Sequence, residues 1–155
     1  MAGSLGWGVK QSFRGYVESA GGVIETMGGA ERTADGGFTF AASPGGDLRL
    51  GADGRPVGRG MFVGNVRFEA HGGMLSVYLA DPNIEIGPSG AVITVADSSA
   101  RTHRMEIATL DLGAITTGLA GELVIPTALS MDGSRLLGDH YPPKTALDPV
   151  RLTLR

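Results

Sequence analysis

The side chains able to do chemistry are few and widely spaced. Histidine occurs at three positions, His71, His103 and His140, and cysteine at none. Without a thiol, disulfides, thiolate zinc sites, iron–sulfur clusters and cysteine nucleophiles are excluded. Tyr16 lies four residues after Ser12 and three after Phe13, which on a helix places all three near one face. Taken singly, Tyr16 reads as a core tyrosine whose hydroxyl has found a partner. His71, followed at once by Gly72-Gly73, reads as a strand-end histidine bonded to backbone. Brought together, a phenol and an imidazole can also exchange a proton. His103 sits among Arg101, Thr102 and Arg104 and reads as solvated, while His140 precedes the extended Tyr141-Pro142-Pro143. No His-x-x-x-His or clustered carboxylates provide metal-ligand spacing, and no Gly-x-Ser-x-Gly elbow supports a serine triad. The pairs Gly45-Gly46 and Gly72-Gly73 lack the Lys-Ser/Thr of a phosphate loop and read as turns.

The elements that must position these residues are mostly strands. Spacings near three and four through Trp7, Phe13, Tyr16 and Val17 predict a helix over 7–17, with Ser4 or Ser12 as caps and Gly21-Gly22 as its stop. Beyond it the pattern alternates. Phe38-Thr39-Phe40 predicts a short strand, and 61–71 a longer one. A second long strand over 74–86, bent or broken at Asp81-Pro82, should pair with it as a hairpin. Further strands are predicted over 91–96, 105–112, 123–129 and 150–154, with a polar loop at 97–102. Pro126 marks an edge or bulge, and a short helix is predicted over 131–137.

Composition agrees. The 155 residues suit a single domain over 1–155, and 42% hydrophobic content allows a genuine core. Twenty-six glycines and eight prolines argue against long helices. The expected fold is mainly β: a twisted antiparallel sandwich or partly closed barrel, with an N-terminal helix and a short helix near the C-terminus. A net charge of -3 argues against a nucleic-acid surface. No run approaches the about 18 apolar residues of a membrane span. The first residues carry neither a basic stretch nor an apolar run, so a soluble cytoplasmic protein is expected as written. As a domain excised from a longer chain, it would be expected outside the cytoplasm or at the cell surface.

Five blocks in order carry a family resemblance. They are Trp7-Gly8-Val9-Lys10-Gln11-Ser12-Phe13-Arg14-Gly15-Tyr16-Val17, residues 64–75 around Ala70-His71-Gly72-Gly73, residues 79–86, Ala108-Thr109-Leu110-Asp111-Leu112, and Tyr141-Pro142-Pro143-Lys144-Thr145-Ala146-Leu147-Asp148-Pro149-Val150. Together they resemble HtaA domains, the haem-binding modules of actinobacterial haem uptake, over nearly the whole chain. The resemblance implies a β-rich domain that holds haem through a tyrosine axial ligand hydrogen-bonded to a histidine. Residue by residue, these fall on Tyr16 and His71, with Tyr141 as a further haem-site aromatic. Haem is then the implied cofactor, Tyr16 the implied iron ligand, and another haem-transfer protein the implied partner.

The implied chemistry is coherent. Ferric iron is a hard cation that favours an anionic oxygen, although a free phenol titrates only near about 10. An imidazole N–H aimed at the phenolate stabilises its charge and fixes its direction. A porphyrin also needs apolar walls, for which Phe13, Val17, Met27, Met74 and Tyr141 are candidates, and a propionate edge, for which Arg14, Ser12 and Lys10 are candidates. This haem reading, for uptake, transfer or storage without catalysis, requires the Tyr16 and His71 rings to face each other across an apolar slot. Two others stand beside it. In one, a small barrel enzyme uses the same pair as proton donor and acceptor on an apolar substrate. In the other, the domain is structural, and the two rings lie apart.

Overall fold

The structure is a computed structural model that describes residues 2–98 and 103–154. In chain order its elements are β1 (Ala2–Trp7), α1 (Gln11–Ser19), β2 (Val23–Met27), β3 (Glu31–Arg32), β4 (Phe38–Ala42), β5 (Arg49–Leu50), β6 (Pro56–Val63) and β7 (Asn65–Ala70). There follow β8 (Leu75–Gly87), β9 (Gly90–Ala96), β10 (Arg104–Leu110), β11 (Thr116–Thr117), β12 (Leu123–Leu129), α2 (Met131–Leu136) and β13 (Ala146–Leu154). The mainly β architecture with a helix near each end is as expected, and the barrel is closed. Eight antiparallel strands run β8-β9-β10-β12-β13-β1-β4-β6, and β6 pairs back onto β8.

β8 belongs to two layers. Its second half, Asn83 to Ile86, lies between β6 and β9 in the barrel wall. Its first half, Leu75 to Ala80, leaves the wall and pairs with β7, which in turn pairs with β2. The change of partner occurs at a bulge between Ala80 and Asn83, where Asp81 has a φ of 48°. The strand is therefore bent at Asp81-Pro82 and not broken. Opposite the bulge, Gly64 separates β6 from β7 at a φ of 126°, and a Cβ there would lie 2.7 Å from the Ala30 backbone nitrogen. Only glycine suits that position. The predicted strand over 61–71 is thus two strands, one in the barrel and one in the wing.

Large side chains from alternate positions fill the barrel: Leu5, Phe62, Ile84, Ile93, Ile107 and Ile125 are fully buried or nearly so. The β2-β7-β8 wing carries a second packed layer beneath α1, whose Phe13 and Val17 are completely buried. Phe13 meets Phe68 of β7 edge to face at 5.2 Å, and Phe68 meets Phe38 at 5.9 Å, which joins the two layers.

The N-terminal helix starts later than its apolar spacing predicts. Trp7 ends β1 with its indole Nε1–H donating to the Asp148 carbonyl at 2.8 Å, so its bulk belongs to a strand. Ser4 also lies in β1, and neither it nor Ser12 caps α1. Asp148 of β13 takes that role from a distance, its Oδ1 accepting from the Gln11 N–H at 3.0 Å. β1 itself was hidden by Gly3, Ser4 and Gly6, which leave only Leu5 and Trp7 to show the alternation. Strands β2, β3, β5 and β11, and the start of β6, also lie beyond what the sequence pattern predicts. Pro126 marks a bulge, with the β12–β13 register shifting between Ile125 and Thr127. Of the predicted polar loop, residues 99–102 fall outside the described residues. No helix among the described residues is long and apolar enough to cross a membrane.

Candidate functional site

The site grows from α1 and the turn between β7 and β8. With Phe13 and Val17 directed into the wing, helical geometry leaves Ser12 and Tyr16 on the outer face, one turn apart. Tyr16 is 39% exposed. The β7–β8 hairpin forms as expected and opens with a short 3-10 turn, His71–Gly73. His71, Gly72 and Gly73 all have positive φ, at 56°, 66° and 92°. Such a run is natural for the glycines and uncommon for a histidine, so local strain is held at His71. The result is an imidazole aimed at α1: His71 Nε2 and Tyr16 Oη are 2.6 Å apart, across 55 residues of sequence. In a neutral pair the phenol donates to the ring nitrogen, and in a phenolate pair the ring N–H donates to the oxygen.

Tyr141 joins the same flank. Its hydroxyl is 3.1 Å from Ser12 Oγ, and its ring lies 6.4 Å from Phe13 in an edge-on arrangement. Ser134 of α2 donates to the Tyr141 carbonyl and fastens the segment after that helix. The Lys10 ammonium lies 5.4 Å from the Tyr141 ring centroid and donates to the Ala146 carbonyl at 2.9 Å. Met74, which follows the His-Gly-Gly turn, is 91% exposed. Met27, expected as a wall of the slot, instead pairs with Asn65 at the end of β2 remote from His71 and shares the wing face of Glu25 and Arg67, whereas α1 packs on the face of Ile24 and Phe68. Tyr16, His71, Ser12 and Tyr141 are thus brought together. Phe13 stands behind them as the floor, and Val17 lies wholly in the core.

Arg14 departs from expectation. On α1 it lies opposite Tyr16, almost fully buried, with Nη1 donating to Asp148 Oδ2 at 2.6 Å and to the Gly8 carbonyl at 2.7 Å. Its guanidinium is neutralised behind the helix and is not presented beside the phenol as a cation for propionates. The two readings that compete with haem binding also meet the geometry. The rings touch, which removes the separation that a purely structural domain requires. The pair stands on an exposed flank of α1, outside the barrel interior that side chains fill, which does not favour the reading of a barrel enzyme.

One neighbour lies outside the sequence reading. The His140 ring centroid is 5.6 Å from that of Tyr16. Its only signal in the sequence is adjacency to Tyr141, because α2 and a turn must form before it reaches α1. His103 is exposed just before β10. Among the described residues no group of three or more His, Asp or Glu side chains is arranged to hold a metal ion.

Residues 2–153 match the family model described as Htaa. The fold is similar to the crystal structure of the C-terminal domain of HtaA from Corynebacterium glutamicum, with a TM-score of 0.76 and 26% identity over 98% of this chain and 94% of that one. The N-terminal domain of HtaA from the same organism matches with a TM-score of 0.73 and 25% identity, over 100% and 98% of the two chains. The structure titled heme binding protein HtaB, also from Corynebacterium glutamicum, shares the fold at 19% identity and a TM-score of 0.68, over 97% and 91%. No curated protein sequence matches the chain. With the family model covering all but the extreme ends, the chain belongs to the HtaA family.

Proposed function

We propose that this protein binds haem on the outer flank of α1, with Tyr16 Oη as the axial ligand of the iron and His71 as the hydrogen-bond partner of that oxygen. The observation that carries the reading is the 2.6 Å contact between an exposed phenol and an imidazole held in a strained turn. It is supported by membership of a family whose fold is shared by a heme binding protein. The residues suit the group. A hard anionic oxygen is the donor ferric iron favours, and the surroundings offer Met74 and the Tyr141 ring to an apolar disc. When bound, haem supplies the ferric iron that makes a phenolate stable at neutral pH. His71 holds Nε2 against the oxygen and fixes its direction, while Ser12 and Tyr141 brace the same face of the helix. Tyrosine ligation suits a carrier that takes haem up, stores it or passes it to another haem-transfer protein, because loss of ferric charge weakens the phenolate bond.

A hemin titration followed by absorbance tests this. The wild-type protein should shift the Soret band to saturation at one equivalent. Tyr16→Ala should abolish most of the shift. His71→Ala should weaken binding and move the band without removing it, since the histidine acts through the phenol. An unchanged hemin spectrum with wild-type protein would overturn the reading.

A further inference from the structure

Behind α1, on the side away from Tyr16, lies a cleft of about 560 Å³ that the haem reading does not use. Its floor is the outer face of the barrel sheet, where Gly6 of β1 sits between Arg151 of β13 and Thr39 of β4 and leaves bare backbone between them. Its walls are the first turn of α1 and the β3–β4 loop around Asp35. The Arg14 side chain is only 9% exposed, and its bonds to Asp148 and to the Gly8 carbonyl both use Nη1. Nε and Nη2 are in no hydrogen bond with a described residue. Nor are they sealed off. Among the described residues the buried, unbonded side-chain polar atom is Arg67 Nε, so the two Arg14 nitrogens open on the cleft that this residue lines. Together they form one edge of the guanidinium, two parallel donors that match the two oxygens of a carboxylate. Gly36, at a φ of 87°, keeps a side chain from that edge, since a Cβ there would lie 3.7 Å from Nη2 and 3.8 Å from Nε.

The charges select what the edge can take. Asp148 neutralises Arg14, and Glu122 lies 3.4 Å from Arg151. Asp35 is bonded instead to neutral donors, the Thr33 hydroxyl and the Gly37 N–H. Those two bonds, with smaller help from Arg14 and Arg151, hold its carboxyl below the ordinary range, so it is ionised at neutral pH and within electrostatic reach of both guanidiniums. Two arginines against three carboxylates leave the cleft with one negative charge, which disfavours a phosphate or a dicarboxylate. A ligand that brings a carboxylate to Arg14 and a cation to Asp35 adds no net charge and satisfies both groups. We propose that this cleft binds a small zwitterion of the amino-acid class, its carboxylate on the Nε–Nη2 edge of Arg14 and its protonated amine on Asp35. The site is separate from the haem flank and stands or falls without it.

The test is an NMR titration of the backbone amides of the chain with glycine, β-alanine and γ-aminobutyrate, which space their two charges differently, and with acetate and ethylammonium, which carry one each. At least one zwitterion should give saturable shifts at the Gln11, Gly36 and Gly37 amides and bind about fivefold more tightly than either single-charge probe. Asp35→Asn should bring that zwitterion down to the affinity of acetate. Arg14→Lys, which keeps a charge beside Asp148 and removes the paired donors, should abolish the shifts. Should lysine disturb α1, the substitution at Asp35, on an exposed loop, still decides the matter. Saturable shifts absent with all three zwitterions, acetate binding as tightly as they do, or an affinity unchanged in Asp35→Asn would overturn the proposal.

Discussion

The contact between Tyr16 and His71 joins residues that neither local pattern nor spacing could bring together. What the residues themselves showed was a phenol on a helical face beside Ser12 and Phe13, and a histidine ahead of two glycines. Family resemblance paired them, and geometry supplies the cause: three successive positive-φ residues turn the imidazole towards α1. The direction of Arg14 was not legible, because a buried guanidinium goes where its carboxylate is, and Asp148 is 134 residues away. Another carboxylate gives a prediction at this scale. Asp35 is held below the ordinary carboxylate range by the Thr33 hydroxyl and the Gly37 N–H, with smaller help from Arg14 and Arg151. The folded state then binds this proton less readily than the unfolded chain. Its contribution is present above about pH 4 and is lost as pH falls through the depressed folded value. Urea unfolding of wild type and Asp35→Asn should therefore show a wild-type advantage near neutrality that shrinks below about pH 4. A difference that stays constant from neutral pH into the acid range would contradict this account of Asp35.

Among the elements, α1 bears most on function, and it is anchored from the far end of the chain. Asp148 caps Gln11 through Oδ1, neutralises Arg14 through Oδ2, and accepts from Trp7 and Thr127 through its carbonyl. A single residue of β13 thereby sets both the start of the helix and the orientation of its buried face. This explains why the sequence pattern placed the start at Trp7: the apolar spacing is real, but a strand and a helix share it. Removing the carboxylate leaves the guanidinium buried without its charge partner and the helix uncapped. Asp148→Ala should destabilise the protein by about 2–4 kcal/mol, below the usual figure for a fully buried pair because Asp148 is partly exposed. Asp148→Asn, which keeps an acceptor for Gln11, should cost clearly less. Urea denaturation measures both, and equal losses would show that the cap contributes nothing.

In the whole molecule, two packed layers share one long strand. β8 lines the barrel with its second half and the wing with its first, so the rigid barrel presents the hairpin that ends in His71. The β-rich class was legible from glycine content and alternation. Closure was not, because it depends on β6 pairing with β8 beyond the Gly64 break, and the glycine-rich stretch of β6 hides its alternation. The central claim is that an oxygen at the wing's surface holds iron. The most direct test is the visible absorption spectrum of ferric haem bound to wild type and to Tyr16→Phe, which keeps the ring and removes only that oxygen. A phenolate-to-iron charge-transfer band should appear in the wild type and vanish in the variant. Identical spectra from the two proteins would contradict the account.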